Sequence, residues 1–112
     1  GKERSAIKVG FAPDSKDVKK SFKHYMDDRY DIDVEGIGFL KNKQVIYTEP
    51  NIIPSISNQK MELFAKVVGN GKESMMYIFG QIEYNNQITP NTHYTEYGNM
   101  RDLTIDFINK II

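Results

Sequence analysis

No cysteine occurs in the 112 residues, which excludes disulfides, thiolate metal ligands and a cysteine nucleophile. Net charge is missing too. Fifteen basic side chains balance fifteen acidic ones, so no global field draws the chain to nucleic acid or to an anionic membrane. No apolar run approaches the roughly 18 residues that a membrane-spanning helix needs, so no insertion is expected. There is no Asn-x-Ser/Thr sequon, so glycosylation gives no clue to compartment. No internal repeat, low-complexity tract or linker divides the chain, and residues 1–112 are read as a single domain. The chain opens on Gly1-Lys2-Glu3, with neither Met nor an apolar leader. A leading glycine is a common remnant of tag removal, so Gly1 is a candidate scar, and this start does not argue for a cytoplasmic home.

What is present is a folding composition, 39% hydrophobic and 27% charged. Ile7, Val9 and Phe11 alternate with polar residues and predict a half-buried strand. Asp14 follows as a helix cap, and the spacing of Val18, Phe22, Tyr25 and Met26 predicts a helix over 15–29. A second strand is expected over 31–40 and a third at Val45-Ile46-Tyr47, after a Lys41-Asn42-Lys43 turn. Pro50 and Pro54 deny the next stretch regular ladder donors, so it reads as an edge or a crossing connection. The clearest signal is a hairpin. Met61, Leu63, Ala65 and Val67 alternate with Glu62, Phe64, Lys66 and Val68, the Gly69-Asn70-Gly71-Lys72 turn follows, and a long strand covers 74–84. After a loop over 85–91, a second helix starts between Thr92 and Asn99, with Met100, Leu103, Phe107, Ile108 and Ile111 as its apolar stripe.

The chemistry-bearing residues are sparse. Lys16, Lys19, Lys20 and Lys23 read as a solvated helix face. The glycines of the hairpin turn resemble a phosphate loop only superficially. That loop needs Gly at position 66 and Ser or Thr at 73, where Lys66 and Glu73 stand. Asp31, Asp33 and Glu35 precede Gly36 with the alternate spacing of a calcium loop. Asn42 occupies the position that should hold a bidentate Glu, and Ile32 and Val34 fit a strand whose acids face water. These three remain weak metal candidates, and no bound metal is expected. His24 with Asp27 and Asp28, and His93 with Glu96, read as surface histidines. No serine-nucleophile motif, acid pair at identifiable spacing or glycine-rich cofactor loop occurs, so neither catalysis nor a cofactor is expected.

The long strand is apolar on both parities. Ser74, Met76, Ile78, Gly80 and Ile82 share one face, and Met75, Tyr77, Phe79 and Gln81 the other. Two helices cover only one face of a small sheet, so Tyr77 and Phe79 are expected to point away from them, at a self-association or partner surface. The loop over 85–91 or the stretch over 50–54 folding across them is the alternative.

The run Phe39-Leu40-Lys41, Ile52, Ile56 and Met61-Glu62-Leu63-Phe64-Ala65-Lys66-Val67-Val68, closed by 94–107, resembles small uncharacterised domains of bacterial envelope or secreted proteins. The resemblance implies export and a binding or structural role, and it carries no functional residue over. The expected architecture is α+β: a two-layer sandwich with a mainly antiparallel sheet of about five strands, two helices on one face, and the order β-α-β-β-β-β-α. The expected function is a non-catalytic binding or structural module of an exported protein. Its sheet face or an edge strand would contact protein or glycan, with weak homodimerisation as one form. The alternatives are a small apolar-ligand pocket between sheet and helices, lined by Met75, Met76 and Phe107, and an enzyme, ranked last.

Overall fold

The computed structural model describes residues 6–11, 15–36, 45–69, 73–82 and 86–111, except the side chains at 11, 15, 16 and 111. The Asp14 cap, positions 37–44, the turn at 70–72 and the end of the long strand at 83–85 lie outside the described residues. The elements run β1 (Ile7–Phe11), α1 (Ser15–Tyr30), β2 (Val34–Glu35), β3 (Val45–Thr48), β4 (Asn51–Ile52), β5 (Lys60–Gly69), β6 (Ser74–Ile82) and α2 (Tyr94–Ile111). The fold is α+β. The strands form one antiparallel sheet in the order β1-β6-β5-β3-β2, with β4 also paired to β5.

The β5–β6 hairpin is the centre of this sheet. Its register runs from Met61 opposite Ile82 to Gly69 opposite Ser74. Side chains alternate across a strand, and burial follows that parity without exception on β6. Met61, Leu63, Ala65 and Val67 of β5 and Met76, Ile78 and Ile82 of β6 are buried on one face. Both helices lay their stripes on that face: Val18, Phe22, Tyr25 and Met26 from α1, and Met100, Leu103 and Phe107 from α2. The Phe22 and Phe107 rings meet edge to face at 5.2 Å, and Tyr25 meets Phe107 at 5.4 Å, an arrangement the ring quadrupoles favour. Gly80 lies beneath Met100 of α2. A Cβ there would stand 3.1 Å from Met100 Sδ and 3.2 Å from the Glu62 carbonyl.

The sheet has six strands where about five were expected, because β4 is a separate short strand. It lies in the 50–54 stretch, which runs along the edge of β5. The second strand is shorter than expected at its start. Asp31 takes a left-handed φ of 55°, and its N–H donates to the Asp27 carbonyl at 2.9 Å. Asp is among the residues that tolerate this conformation at a helix end, so 31–33 is a helix exit, and pairing begins at Val34. The beginning of α2 is settled by an extra turn before it. Thr89 Oγ1 accepts the N–H groups of Asn91 and Thr92 at 3.2 and 3.0 Å, and His93 O accepts Tyr97 N–H at 2.8 Å. Gly98 lies inside the helix.

Candidate functional site

The sheet face turned away from the helices is built in layers by the strand register. Tyr47 stands opposite Phe64, and Phe64 opposite Phe79, so β3, β5 and β6 place three aromatic rings in one row across the strands. The Phe64 and Phe79 rings stack at 5.2 Å with planes 7° apart, and Tyr47 lies 6.5 Å from Phe64 at a tilt of 34°. Glu35 of β2 pairs with Tyr47 at the end of the row. One layer along the strands, Val45, Lys66, Tyr77 and Lys8 are successive partners. The Lys8 ammonium sits 5.9 Å from the centre of the Tyr77 ring, within reach of its electron-rich face. On the other side of the row, Gln81 Nε2 donates to Glu62 Oε1 at 2.8 Å. Tyr47, Phe64, Tyr77 and Phe79 are half-buried, and Lys66 is exposed.

Tyr77 and Phe79 therefore lie on the helix-free face, as the parity of the long strand required. Phe64 and Tyr47, which complete the row, are not singled out by the sequence reading. The alternation of β5 already put Phe64 on the polar parity, but the neighbours of Phe79 depend on strand order. The segments named as possible covers run elsewhere in their described parts. Asn51 and Ile52 pair along the β5 edge. Gln87 bridges to Gln81, with Ile88 N–H donating to Gly80 O and Ile82 N–H to Asn86 O. That segment extends the sheet edge beyond the end of β1.

The other candidates are dispersed. Asp31 and Asp33 are exposed on the helix exit, and Glu35 is on the face away from the helices. Ile32 and Val34 between them are buried. His24, Asp27 and Asp28 are exposed on α1, and His93 Nδ1 lies 2.9 Å from Thr92 Oγ1. Among the described residues, no group of three or more His, Asp or Glu is placed to hold a metal ion. Met75, Met76 and Phe107 do not converge. Met76 and Phe107 are sealed in the core, whereas Met75 is on the opposite sheet face.

An open groove of 540 Å³ runs along the outside of α1 and α2, lined by Ser21, His24, Tyr25, Asp28, Arg29 and Lys110. Near it, Asp106 Oδ2 accepts the Tyr25 hydroxyl at 2.7 Å and pairs with Arg29 Nη2 at 3.2 Å. Burial, and then the hydrogen bond to Asp106, push the Tyr25 phenol well above its ordinary value. The polar atoms here tie one helix to the other. Among the described residues, no helix is long and apolar enough to cross a membrane. No family model, curated protein or solved structure matches the chain.

Proposed function

We propose that the chain is a non-catalytic binding module of an exported bacterial protein, and that its helix-free sheet face makes a protein contact. The observation that carries this reading is the row Tyr47–Phe64–Phe79 with Tyr77 beside it, large apolar rings gathered on the face opposite the helices. Apolar surface collected in this way favours association, and aromatic residues are enriched in protein interfaces. The export component rests on the resemblance to envelope and secreted domains.

Ring geometry favours protein over glycan. A sugar stacks on an exposed ring face. Phe64 and Phe79 turn their faces to each other, with planes 7° apart, and this leaves ring edges and the gaps between them as the contact surface. Apolar side chains of a partner can fill such gaps. A photoreactive phenylalanine analogue at position 77 or 79, introduced in the host cell, tests the reading. It should yield a cross-linked protein adduct, and the same probe at Ile105, exposed on α2, should yield none. Absence of any adduct at both 77 and 79 would overturn the proposal.

A further inference from the structure

Glu62 and Lys66, which flank the aromatic row, are placed so that the centre of this face complements itself. On β5, Glu62, Phe64 and Lys66 occur at two-residue intervals on the same side of the sheet. At roughly 3.3 Å per residue, the carboxylate and the ammonium lie on either side of the row, their backbones about 13 Å apart. The acidic layer contains Glu62 and Gln81, and the basic layer contains Lys66 and Lys8 around Tyr77. Consider a two-fold axis parallel to the row, in the plane between two facing sheets. Rotation about it keeps each strand opposite its own copy and reverses the strand direction. The row meets the row, and Lys66 of each copy comes opposite Glu62 of the other, while Glu35 meets its own copy only at the sheet edge, where β2 ends the row and water screens like charges. A two-fold interface requires a patch that is complementary to itself in this way. Facing sheets pack about 10 Å apart with strands within about 30° of one another, which such an axis permits.

We infer that a second copy of this chain occupies the helix-free face, in a two-fold sheet-to-sheet dimer centred on Phe64 and Phe79 with reciprocal Glu62–Lys66 contacts. The inference rests on the reading of this face as a protein-contact surface and names its partner. A zero net charge supports it, since two copies approach without long-range repulsion. Opposite charges facing each other across the two-fold fix the register of the sheets, as interfacial charges do more generally.

Sedimentation equilibrium of the whole chain and its charge-reversed variants tests this arrangement. Glu62→Lys sets lysine against lysine at both reciprocal contacts, and Lys66→Glu sets glutamate against glutamate. Each variant alone should dimerise at least about tenfold more weakly than the parent chain. An equimolar mixture of the two should recover dimers, because every contact in the mixed pair again joins opposite charges. Recovery also establishes that both variants are folded. A parent chain that is monomeric at millimolar concentration overturns the inference, and so does a mixture no more dimeric than its components. The cross-linking experiment separates the two levels. An adduct at position 79 of twice the chain mass supports the dimer. An adduct of any other mass refutes the second copy and leaves the contact face standing, and no adduct at either 77 or 79 refutes both.

Discussion

Thr48 is fully buried, and its hydroxyl stands in for a backbone acceptor. Leu63 N–H donates to Thr48 Oγ1 at 3.0 Å. The reason lies in the register on either side. Tyr47 of β3 faces Phe64, while Asn51 of β4 faces Met61, so four steps from β3 into β4 match three along β5. The extra residue is the signature of a β-bulge, which locally disrupts the ladder. A side-chain hydroxyl at this position satisfies an N–H that the disruption affects. Thr48→Val keeps the shape and removes the acceptor. A buried N–H left without a partner costs about 1–3 kcal/mol, so urea unfolding of this variant should show a loss in that range. A loss below about 0.5 kcal/mol would mean that another acceptor takes over the bond. Thr104 is the counterpart on α2. It is buried inside the apolar stripe, and its hydroxyl returns to the Met100 carbonyl at 2.9 Å.

At the scale of elements, α2 is held by its inner face more than by its local preferences. Gly98 disfavours helix by about 1 kcal/mol relative to Ala, yet the helix runs unbroken from Tyr94 to Ile111. Packing supplies the difference. Met100, Leu103 and Phe107 are almost wholly removed from solvent, and Asn99 Nδ2 ties the helix to the Ile56 carbonyl at 3.0 Å. Phe107→Ala should therefore destabilise the protein by about 3–5 kcal/mol, the range for a fully buried phenylalanine, measured by denaturant unfolding. A loss below about 1 kcal/mol would show that the ring contributes little. The stripes of both helices and the alternation of β5 and β6 were legible in the sequence, because burial imposes periods of 3.6 and 2 on the residues. The start of α2 was legible only as a range, 92–99, within which Tyr94 falls. It is fixed by Thr89 capping the preceding turn, and a threonine carries no mark that distinguishes a cap from a loop. The prolines left the stretch between them readable as an edge or a crossing connection; the structure makes it an edge, where Asn51 and Ile52 pair with β5 as a separate strand, and what the prolines hid was only that pairing.

At the scale of the molecule, the candidate face was legible as a parity and illegible as a surface. Two apolar parities on one strand, with only two helices available, assign Tyr77 and Phe79 to the helix-free side. The row itself arises from β3 lying beside β5, and of Glu35 lying beside Tyr47, which are long-range pairings that no local pattern encodes. The opposite layer is linked by a different contact, from α1 to α2 through Tyr25, Asp106 and Arg29. That contact gives the fold a characteristic response to alkali. Burial, and then the hydrogen bond to Asp106, hold the Tyr25 phenol protonated in the native protein well above its ordinary value, whereas in the unfolded chain it ionises at about pH 10. A native pKa raised above the unfolded one contributes stability that is fully present below about pH 10. As pH rises beyond that point the unfolded state sheds a proton that the native state retains, and stability falls by up to about 1.4 kcal/mol per pH unit from this group alone. The informative quantity is the difference between the parent chain and a variant that lacks the phenol. Urea unfolding of the parent chain and of Tyr25→Phe, followed from pH 8 to pH 11, should give a constant gap below about pH 10. Above it the gap should narrow, because the parent loses a contribution that the variant never had. A gap that remains constant through pH 11 would show that the phenol titrates alike in the folded and unfolded states.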